Sequence, residues 1–519
     1  MNSSHFSILN PASWFSCGLE ISRRLRYSAN TINLIILITL VNLVLYHVPL
    51  YSFTVNNLNG LHSNSILTII TLSVIIFVVT ALLISLLLQI SQKLLKPISM
   101  LMFLGNSVAL YYVQTYQVIL DKTMMGNILN TRYSEASGFF HTNLIIYLII
   151  FGVVPCLLLL KIRIQYTSRL RLALFSLMVL PWSYVINTLR FQTSLLSRSQ
   201  EQILLPPATL SSKEKTVVIL VIGESARARN FSLYGYNKPT NPWLTKSGAI
   251  ALKNTVSCST YTTASLSCML SHNNNSSLFS EQYEPLTSYL QRYGVDVDWR
   301  TKNWGEPPMK IQSFQKSSDL EKECKDVNEC DKDGVLLSGL SERIQSSKKQ
   351  NVFVVLHQKG SHGPEYYTRY PSQFEKFKPV CKSVELNRCT NNELLNAYDN
   401  SILYTDYFLN RAINILKSLD NRPRMLMYIS DHGESLGEHG VYLHGTPYTI
   451  APDVQKEIPF IVWMSSEFLK KEGISLEQLK QQERHSQENV FHSILGAFDV
   501  QSDVYKQQFD IFSGVPSKK

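Results

Sequence analysis

Five stretches that contain no Asp, Glu, Lys or Arg occupy more than half of the first 190 residues of this chain. A helix needs about 20 apolar residues to cross roughly 30 Å of hydrocarbon, and each stretch is that long or nearly so. Five such stretches in series are not typical of a soluble helical core, and a cleaved signal peptide would not be followed by further spans. We therefore predict five transmembrane helices, over Thr31–Tyr51, Ile66–Ile90, Ser99–Leu120, Asn143–Leu160 and Leu172–Leu189.

Charged residues between these stretches indicate how the chain is oriented. Residues 1–200 contain 13 basic and 3 acidic residues and the rest contains 36 of each, so the net charge of +10 lies in the membrane part. Basic residues precede the first stretch and lie between the second and third and between the fourth and fifth. Because cytoplasmic loops carry the excess of Lys and Arg, we predict a cytoplasmic N-terminus and place residues from about 200 onward outside. The net positive charge thus reflects the membrane topology and does not indicate a nucleic-acid-binding protein.

Six of the eight cysteines lie beyond residue 200, in three close pairs, which agrees with an exported location. In an oxidising compartment, short local disulfides are the simplest interpretation of such spacing. The rival interpretation, a zinc–thiolate site, would need C-x-x-C-type spacing, which these pairs lack. The predicted disulfides are Cys258–Cys268, Cys324–Cys330 and Cys381–Cys389.

Short β-branched runs alternate with helical patterns in the second part of the chain. The first run, TVVILVI, suits a strand that is buried on both faces. This alternation predicts one α/β domain with a mostly parallel central sheet. We therefore divide the chain into a transmembrane domain (1–190), a bridging helix or linker (191–212) and a soluble domain (213–519). The predicted strands are Thr216–Ile222, Asn351–Leu356, Arg424–Ile429 and Ile458–Met464, and one helical pattern covers Asn392–Leu419.

Side chains that can bind metal follow these strands. Glu224 comes after the first strand, and Asp431 and His432 come directly after the third. His362 lies in the loop after the second strand, and His444 lies in a later loop. Open α/β sheets place their sites at the carboxyl ends of the strands, and carboxylates with imidazoles suit a divalent cation. Glu224, His362 or His444 alone is better explained as a helix cap or surface group. The adjacent Asp431 and His432 are more specific, since both can reach one cation, and the whole set predicts a zinc or two-metal site.

A hydroxyl-rich segment, CSTYTTASLSC, occupies residues 258–268. Ser and Thr at the start of a helix commonly act as caps. The same position also suits a nucleophile, because the N–H groups of a helix N-terminus stabilise an attached phosphate. The spacing leaves open which of Thr260, Thr262 and Thr263 would carry the phosphate.

The strings that carry this chemistry resemble the phosphoethanolamine transferases, a bacterial inner-membrane family that includes the mobile colistin-resistance enzymes. The resemblance spans essentially the whole chain and implies five transmembrane helices followed by an alkaline-phosphatase/sulfatase-like α/β domain. The matching strings are VIGESAR (221–227), CSTYTTASLSCMLS (258–271), LHQKGSHGPEYY (356–367), NAYDNSILYTDYFL (396–409) and ISDHGESLGEHGVYLHGTP (429–447).

The resemblance implies a zinc enzyme with a threonine nucleophile. Glu224, Asp431 and His432 match the family's zinc ligands. Thr262 matches the nucleophile, which also contacts the metal. The three cysteine pairs match the family's local disulfides. The implied cofactor is one tightly bound Zn²⁺.

The resemblance also implies residues that bind the substrate. His362 and His444 match the pair beside the phosphate, where either the substrate or a second zinc binds, and they are candidates for the general acid and base. Asn127, Thr131 and Glu135 match residues that contact the headgroup of the donor. Their i, i+4, i+8 spacing puts them on one face of a helix, an arrangement that a polar surface stripe would also produce.

Two segments depart from the family's pattern. Its usual Cys-Gly-Thr-Ala-Thr is Cys258-Ser259-Thr260-Tyr261-Thr262 here, so the nucleophile has bulkier neighbours. The segment WRTKNWGEPPMK (299–310) begins as in the family and then diverges, which leaves Lys310 as a candidate phosphate contact.

The implied activity is transfer of phosphoethanolamine from phosphatidylethanolamine to lipid A or lipooligosaccharide, through a phospho-threonine-type intermediate and with release of diacylglycerol. We expect a monomer of the bacterial inner membrane, with a cytoplasmic N-terminus and a periplasmic catalytic domain. One alternative is a phosphoglycerol transferase of the lipoteichoic-acid-synthase type. Another is a non-catalytic membrane sensor or scaffold with a relict ectodomain.

Overall fold

The computed structural model describes residues 28–57, 63–116, 142–177, 202–211, 215–273 and 283–513. Within these residues the chain forms two compact units, one made of apolar helices between residues 28 and 177 and one made of residues 202–513. The apolar unit contains helices α1 (Thr31–Tyr46), α2 (Val48–Asn57), α3 (Ser63–Ile90), α4 (Leu95–Tyr116) and α5 (Thr142–Lys161, with a π-helical turn over Leu148–Val153). A further helix starts at residue 169 and is described as far as residue 177.

Three of these helices, α3, α4 and α5, are long and apolar enough to cross a membrane, and they confirm three of the five predicted spans. The first predicted span is wrong in its extent, because α1 ends at Tyr46 and α2 begins at Val48. Pro49 explains the break: it has no N–H to continue the ladder of α1, and a proline is tolerated in a first helical turn. The 16 residues of α1 rise only about 24 Å at ~1.5 Å per residue. The fifth predicted span lies mostly outside the described residues.

Polar contacts join the apolar helices to one another. Asn106 on α4 donates from Nδ2 to Oδ1 of Asn42 on α1 over 2.6 Å. The hydroxyl of Tyr46 donates to the carbonyl of Phe151 over 2.6 Å. Lipid tails are as apolar as Leu side chains, so packing and such interhelical hydrogen bonds contribute to helix association in a membrane.

The second unit is built on a seven-stranded sheet. In chain order its strands are β1 (Val217–Gly223), β2 (Ile250–Leu252), β3 (Asp296–Thr301), β4 (Ser313–Lys316), β5 (Val352–His357), β6 (Arg424–Ser430) and β7 (Phe460–Met464). The spatial order is β2-β7-β6-β1-β5-β3-β4. The predicted α/β class is confirmed, but the sheet is mixed. Strand β7 pairs antiparallel with both β6 and β2, whereas all other neighbours pair in parallel.

Strand β1 lies in the middle of the sheet, and every residue in it is buried. This burial explains its unbroken apolar sequence, since a parallel strand covered on both faces has no solvent side. Its end is in register with both neighbours: Gly223 pairs with Ser430 of β6, and Ile222 pairs with His357 of β5. The residues that follow β1, β5 and β6 therefore emerge at the same edge of the sheet.

Helices cover both faces of this sheet. The main ones are α6 (Thr262–Met269), α7 (Leu286–Arg292), α8 (Leu340–Gln345), α9 (Asn391–Ser418), α10 (Ser466–Glu472) and α11 (Glu488–Ala497). One core cluster combines β1 side chains such as Leu220 with Leu266 of α6, Leu290 of α7 and Ile494 of α11. Helix α9 packs against β6, and its capping box joins Thr390 and Glu393. Its observed limits agree with the predicted pattern to within one residue.

The two units also contain short two-stranded sheets and disulfides. All three predicted disulfides are present, and Cys156 of the apolar unit is a free, buried thiol. The two-stranded pairs are Ser28–Asn30 with Arg163–Gln165, Thr209–Leu210 with Val500–Gln501, Thr255–Val256 with His485–Ser486, and Ser435–Leu436 with Tyr442–Leu443.

Candidate active site

The sheet brings three predicted metal ligands together. Glu224 follows β1, and Asp431 and His432 follow β6, the parallel neighbour of β1. All three side chains are fully buried. The Nε2 atom of His432 lies 3.3 Å from Oε1 of Glu224 and 3.2 Å from Oδ2 of Asp431. Two carboxylates and one imidazole therefore converge on one point at the carboxyl edge of the sheet.

Thr262 occupies the first helical position of α6, after Tyr261 as N-cap. Its hydroxyl donates to Oε2 of Glu224 over 3.1 Å and lies 3.4 Å from Nε2 of His432. The disulfide Cys258–Cys268 closes the segment that carries it. The hydroxyl of Thr260, by contrast, donates to the carbonyl of Thr446. Of these two threonines, the structure places Thr262 against the carboxylate and imidazole.

The hydrogen bonds of His432 leave one ring nitrogen facing the carboxylates. Its Nδ1 lies 2.8 Å from the carbonyl oxygen of Gly433, an acceptor, so Nδ1 carries the proton. In the neutral ring Nε2 is then the atom with a free lone pair. A backbone carbonyl that fixes the tautomer in this way is typical of histidines that bind metal.

One buried oxygen of Asp431 indicates a cation. Its Oδ1 accepts hydrogen bonds from the main-chain N–H groups of Ser225 (3.1 Å) and His432 (2.7 Å). Nε2 of His432 lies 3.2 Å from its Oδ2, but when that nitrogen is unprotonated Oδ2 has no hydrogen-bond partner among the described residues. A buried charged oxygen without a partner is strongly destabilising, and a divalent cation would satisfy it. The donor set of carboxylates and imidazole fits Zn²⁺.

The buried charges of the site shift the pKa values of Asp431 and His432. Burial opposes ionisation of Asp431, yet His432 and the hydrogen bonds hold the pKa of this carboxyl well below its usual range. Burial alone would lower the pKa of His432, but Asp431 and Glu224 raise it to about 10. The two carboxylates thus create a negative potential that favours a positive charge between them, either a proton or a metal ion.

His444 faces the same point from a loop after β6. Its ring centroid lies 4.2 Å from that of His432, and one ligand atom from each of Glu224, His432 and His444 lies within 4.8 Å of the other two. Burial, with His432 and His362 nearby, lowers the pKa of His444 well below its usual range. The ring is therefore neutral near pH 7. Its side chain can complete a metal site or contact a phosphoryl oxygen.

A residue missed by sequence reasoning, Glu434, orients His444. Its Oε2 accepts a hydrogen bond from Nδ1 of His444 over 2.8 Å, and its Oε1 accepts one from the hydroxyl of Tyr366 over 2.6 Å. Burial raises the pKa of Glu434 to about 7. The string SDHGES contains Glu434 two residues after His432, but only the folded loop shows that it contacts His444.

His362 lies beside His444, with 5.4 Å between the ring centroids. Its Nδ1 lies 2.6 Å from the carbonyl oxygen of Gly363, and its own carbonyl accepts from Nε of Arg369 over 2.7 Å. The structure thus brings His362 next to His444, beside the predicted metal ligands.

Two further side chains support the cluster from other elements. Asn303, two residues after β3, donates from Nδ2 to Oε2 of Glu224 over 2.7 Å. Gln487, just before α11, accepts from the N–H of Cys258 (2.9 Å) and donates to the carbonyl of Asp431 (2.5 Å). Asn303 could have been predicted as a site residue from its position just after a strand, whereas no local feature of the sequence distinguishes Gln487.

Of the other predicted site residues, the structure describes only Lys310. Lys310 is exposed, and its main-chain N–H donates to the hydroxyl of Ser288 over 2.7 Å. The three predicted donor-binding residues, Asn127, Thr131 and Glu135, lie outside the described residues.

Two family models match the chain. The model of phosphoethanolamine transferase EptA/EptB matches residues 75–195, and the sulfatase model matches residues 216–500. The second match covers more than half of the chain and contains every residue of the cluster just described.

Relatives resemble the chain over most of its length. It is 37% identical over 504 residues to phosphoethanolamine transferase EptA of Helicobacter pylori, a match that covers 90% of this chain and 94% of the relative. It is 31% identical to phosphatidylethanolamine transferase Mcr-1 of Escherichia coli, over 85% of this chain and 90% of the relative. The solved structure of the integral membrane protein lipooligosaccharide phosphoethanolamine transferase A (EptA) from Neisseria meningitidis superposes with a TM-score of 0.82 and 26% identity, over 95% of this chain and 100% of that one. The chain therefore belongs to the phosphoethanolamine transferases of the alkaline phosphatase/sulfatase superfamily.

Proposed function

We propose that this enzyme transfers phosphoethanolamine from phosphatidylethanolamine to lipid A or lipooligosaccharide, with Thr262 as the nucleophile. The observation that carries the proposal is the position of the Thr262 hydroxyl, 3.1 Å from Oε2 of Glu224 and 3.4 Å from Nε2 of His432. This hydroxyl is buried and lies at a helix N-terminus, where a phosphoryl group is stabilised.

The cofactor in this proposal is Zn²⁺, held by Glu224, Asp431, His432 and Thr262. When bound, it would lower the pKa of the Thr262 hydroxyl and polarise a phosphoryl oxygen. The unpartnered Oδ2 of Asp431 and the lone pair on Nε2 of His432 support this assignment. His362 and His444 offer a place for the substrate phosphate or for a second zinc.

In the first half-reaction, Oγ1 of Thr262 attacks the phosphorus of the donor lipid. The bond between phosphorus and the glycerol oxygen breaks, and diacylglycerol leaves with a proton supplied by His362, because the neutral ring of His444 is suited to accept a proton and not to donate one. The hydroxyl proton of Thr262 leaves along its hydrogen bond to Glu224. Phosphoethanolamine is then attached to Thr262, and the helix N-terminus of α6 stabilises its negative charge.

In the second half-reaction, a hydroxyl or phosphate of the acceptor attacks the same phosphorus, and the bond from phosphorus to Oγ1 of Thr262 breaks. His362 takes the proton of an attacking hydroxyl, and Oγ1 recovers its own proton from Glu224. Asn127, Thr131 and Glu135 would bind the headgroup of the donor lipid, since the Glu135 carboxylate suits its ammonium. The names of two relatives support both substrates: one is a phosphatidylethanolamine transferase and the other a lipooligosaccharide phosphoethanolamine transferase.

We also propose a location in the bacterial inner membrane, with a cytoplasmic N-terminus and residues 213–519 as a periplasmic catalytic domain. The alternating basic loops and the three disulfides support this orientation. The enzyme would then meet its lipid acceptor on the outer face of the membrane, and we expect it to act as a monomer.

Mass spectrometry of envelope lipids tests the proposal. Cells with and without the chain are compared, and a mass increment of one phosphoethanolamine on lipid A or on the core oligosaccharide is expected only with the chain. In membranes supplied with either phosphatidylethanolamine or phosphatidylglycerol, the first should be consumed. Consumption of phosphatidylglycerol instead would support a phosphoglycerol transferase, and consumption of neither would support a relict scaffold.

A further inference from the structure

Two buried polar atoms beside Thr262 have no hydrogen-bond partner among the described residues. One is the hydroxyl oxygen of Thr263, and the other is Oδ1 of Asn303. Thr263 is 6% exposed and Asn303 is 7% exposed. Buried polar groups are almost always hydrogen-bonded, so two unpartnered atoms at one site indicate a ligand that the protein is built to bind.

Both side chains border the nucleophile. Asn303 donates from Nδ2 to Oε2 of Glu224 over 2.7 Å, and the same oxygen accepts from Thr262 over 3.1 Å. A methyl group added at Gly305 would lie 3.4 Å from Cγ2 of Thr262 and 3.1 Å from Cγ2 of Thr263. The loop from Asn303 to Gly305 therefore packs against the first turn of α6.

The two unpartnered atoms differ in what they can bind. Nδ2 of Asn303 is the donor to Glu224, so Oδ1 is the carbonyl oxygen and can only accept. The Thr263 hydroxyl can donate, and it lies in the second position of α6, where the helix N-terminus favours negative charge. An anionic phosphoryl oxygen thus suits Thr263, and a cationic donor such as an ammonium suits Asn303.

We propose that Thr263 and Asn303 form a subsite that recognises phosphoethanolamine as a zwitterion. Thr263 donates to a phosphoryl oxygen, and Oδ1 of Asn303 accepts from the ammonium. The inference rests on the proposed function, because it takes Thr262 as the residue to which the group is transferred. It assigns recognition of the transferred headgroup to the second unit, in addition to the residues proposed to hold the donor lipid.

The test compares two soluble probes, O-phosphoethanolamine and methyl phosphate, which share the phosphoryl group but differ in the ammonium. Isothermal titration of the full chain in detergent with zinc gives a dissociation constant for each probe. Thr263→Val should weaken both probes about tenfold, because each loses the same hydrogen bond to a charged group. Asn303→Ala should lower the preference for O-phosphoethanolamine over methyl phosphate about tenfold.

The preference is a ratio measured within one variant, so a general loss of zinc or of folded protein affects both probes and cancels. Thr216→Val and Asn351→Ala are matched controls at the opposite end of β1. The hydroxyl of Thr216 is also buried and has no hydrogen-bond partner among the described residues, and the main-chain N–H of Thr216 donates to Oδ1 of Asn351 over 3.1 Å. Neither control should change the ratio.

The outcomes separate this inference from the proposed function. An unchanged ratio in Asn303→Ala would overturn the ammonium contact. Unchanged affinities in Thr263→Val would overturn the phosphoryl contact. Failure of the proposed function has a different signature, since the wild-type chain would then leave phosphatidylethanolamine unconsumed whatever the ratio of the soluble probes.

Discussion

Thr262 and Glu224, 38 positions apart in the chain, are joined by a hydrogen bond of 3.1 Å from the threonine hydroxyl to Oε2. The carboxylate is also held from elsewhere: Asn303 donates to Oε2 and the Ser225 hydroxyl donates to Oε1, each over 2.7 Å. The orientation of Glu224 therefore does not depend on Thr262. The hydroxyl of Thr262 can therefore be removed while Glu224 keeps its orientation.

Thr262→Ala should reduce phosphoethanolamine transfer on the order of a thousandfold or more, because no other hydroxyl replaces the attacking oxygen. Zinc content, measured by atomic emission, should stay close to one per chain. Thr260→Val is the control, since that hydroxyl donates to the Thr446 carbonyl and does not contact Glu224. Transfer by Thr262→Ala at near wild-type rate would rule out the covalent mechanism.

Asp431→Asn should weaken zinc binding more than about a hundredfold, since even the loss of a residue that only orients a ligand costs roughly 10–100-fold. The substitution preserves shape, and an amide oxygen at Oδ1 can still accept from Ser225 and His432. The measurement is zinc affinity by competition with a chelator. Zinc binding at wild-type strength would mean that the unpartnered Oδ2 does not face the metal.

The predicted ligands could be read from the sequence because each follows a strand that is identifiable from its own residues. Glu224 and Asp431 come directly after unbroken apolar runs, and the parallel register of β1 and β6 brings them together. Asn303 and Gln487 could not be predicted in the same way. They reach the site through the pairing of β3 with β5 and through the start of α11, which are long-range packing relationships.

The errors in the membrane part have local causes. The limits of the first predicted span came from counting charge-free residues. Such a count does not show that Pro49 lacks the N–H that a continuous helix would need. The antiparallel direction of β7 could not be predicted either, because the apolar sequence of a strand does not show in which direction the strand runs. The site was unaffected because its residues follow β1, β5 and β6, which are mutually parallel.

Gln487→Leu should slow transfer roughly 10–100-fold while zinc is retained. The Gln487 side chain joins the nucleophile loop at Cys258 to the main chain of Ser430 and Asp431, so its loss frees the loop to move relative to the metal ligands. Transfer rate and zinc content are measured together. Gln358→Leu is a matched control, because the Gln358 side chain is buried but its polar atoms have no hydrogen-bond partner in the part of the chain that the structure describes. Equal losses in the two variants would contradict a positioning role for Gln487.

Glu434→Gln should lower the transfer rate about tenfold at unchanged zinc content. Glu434 accepts hydrogen bonds from both His444 and Tyr366, and a glutamine offers only one acceptor oxygen, so one of the two donors loses its partner. Tyr366→Phe serves as the comparison because it removes the second donor. If the loss arises from misplacement of the His444 ring, combining Tyr366→Phe with Glu434→Gln should restore part of the activity. Absence of any effect in Glu434→Gln would show that His444 does not need this partner.

Asp406 of α9 should make the stability of the second unit depend on pH. Burial raises the pKa of this carboxyl to about 7, although the N–H groups of Trp243 and Leu244 donate to it. In an unfolded chain the pKa would be about 3.9. Between these values the folded state binds more protons, so its stability is greatest below about pH 4 with respect to this group and is lost as pH rises toward 7. We expect Asp406→Asn to flatten the decline of the unfolding temperature between pH 5 and pH 8, measured on the full chain in detergent. An equally steep decline in the variant would show that Asp406 ionises as readily in the folded protein as in the unfolded one.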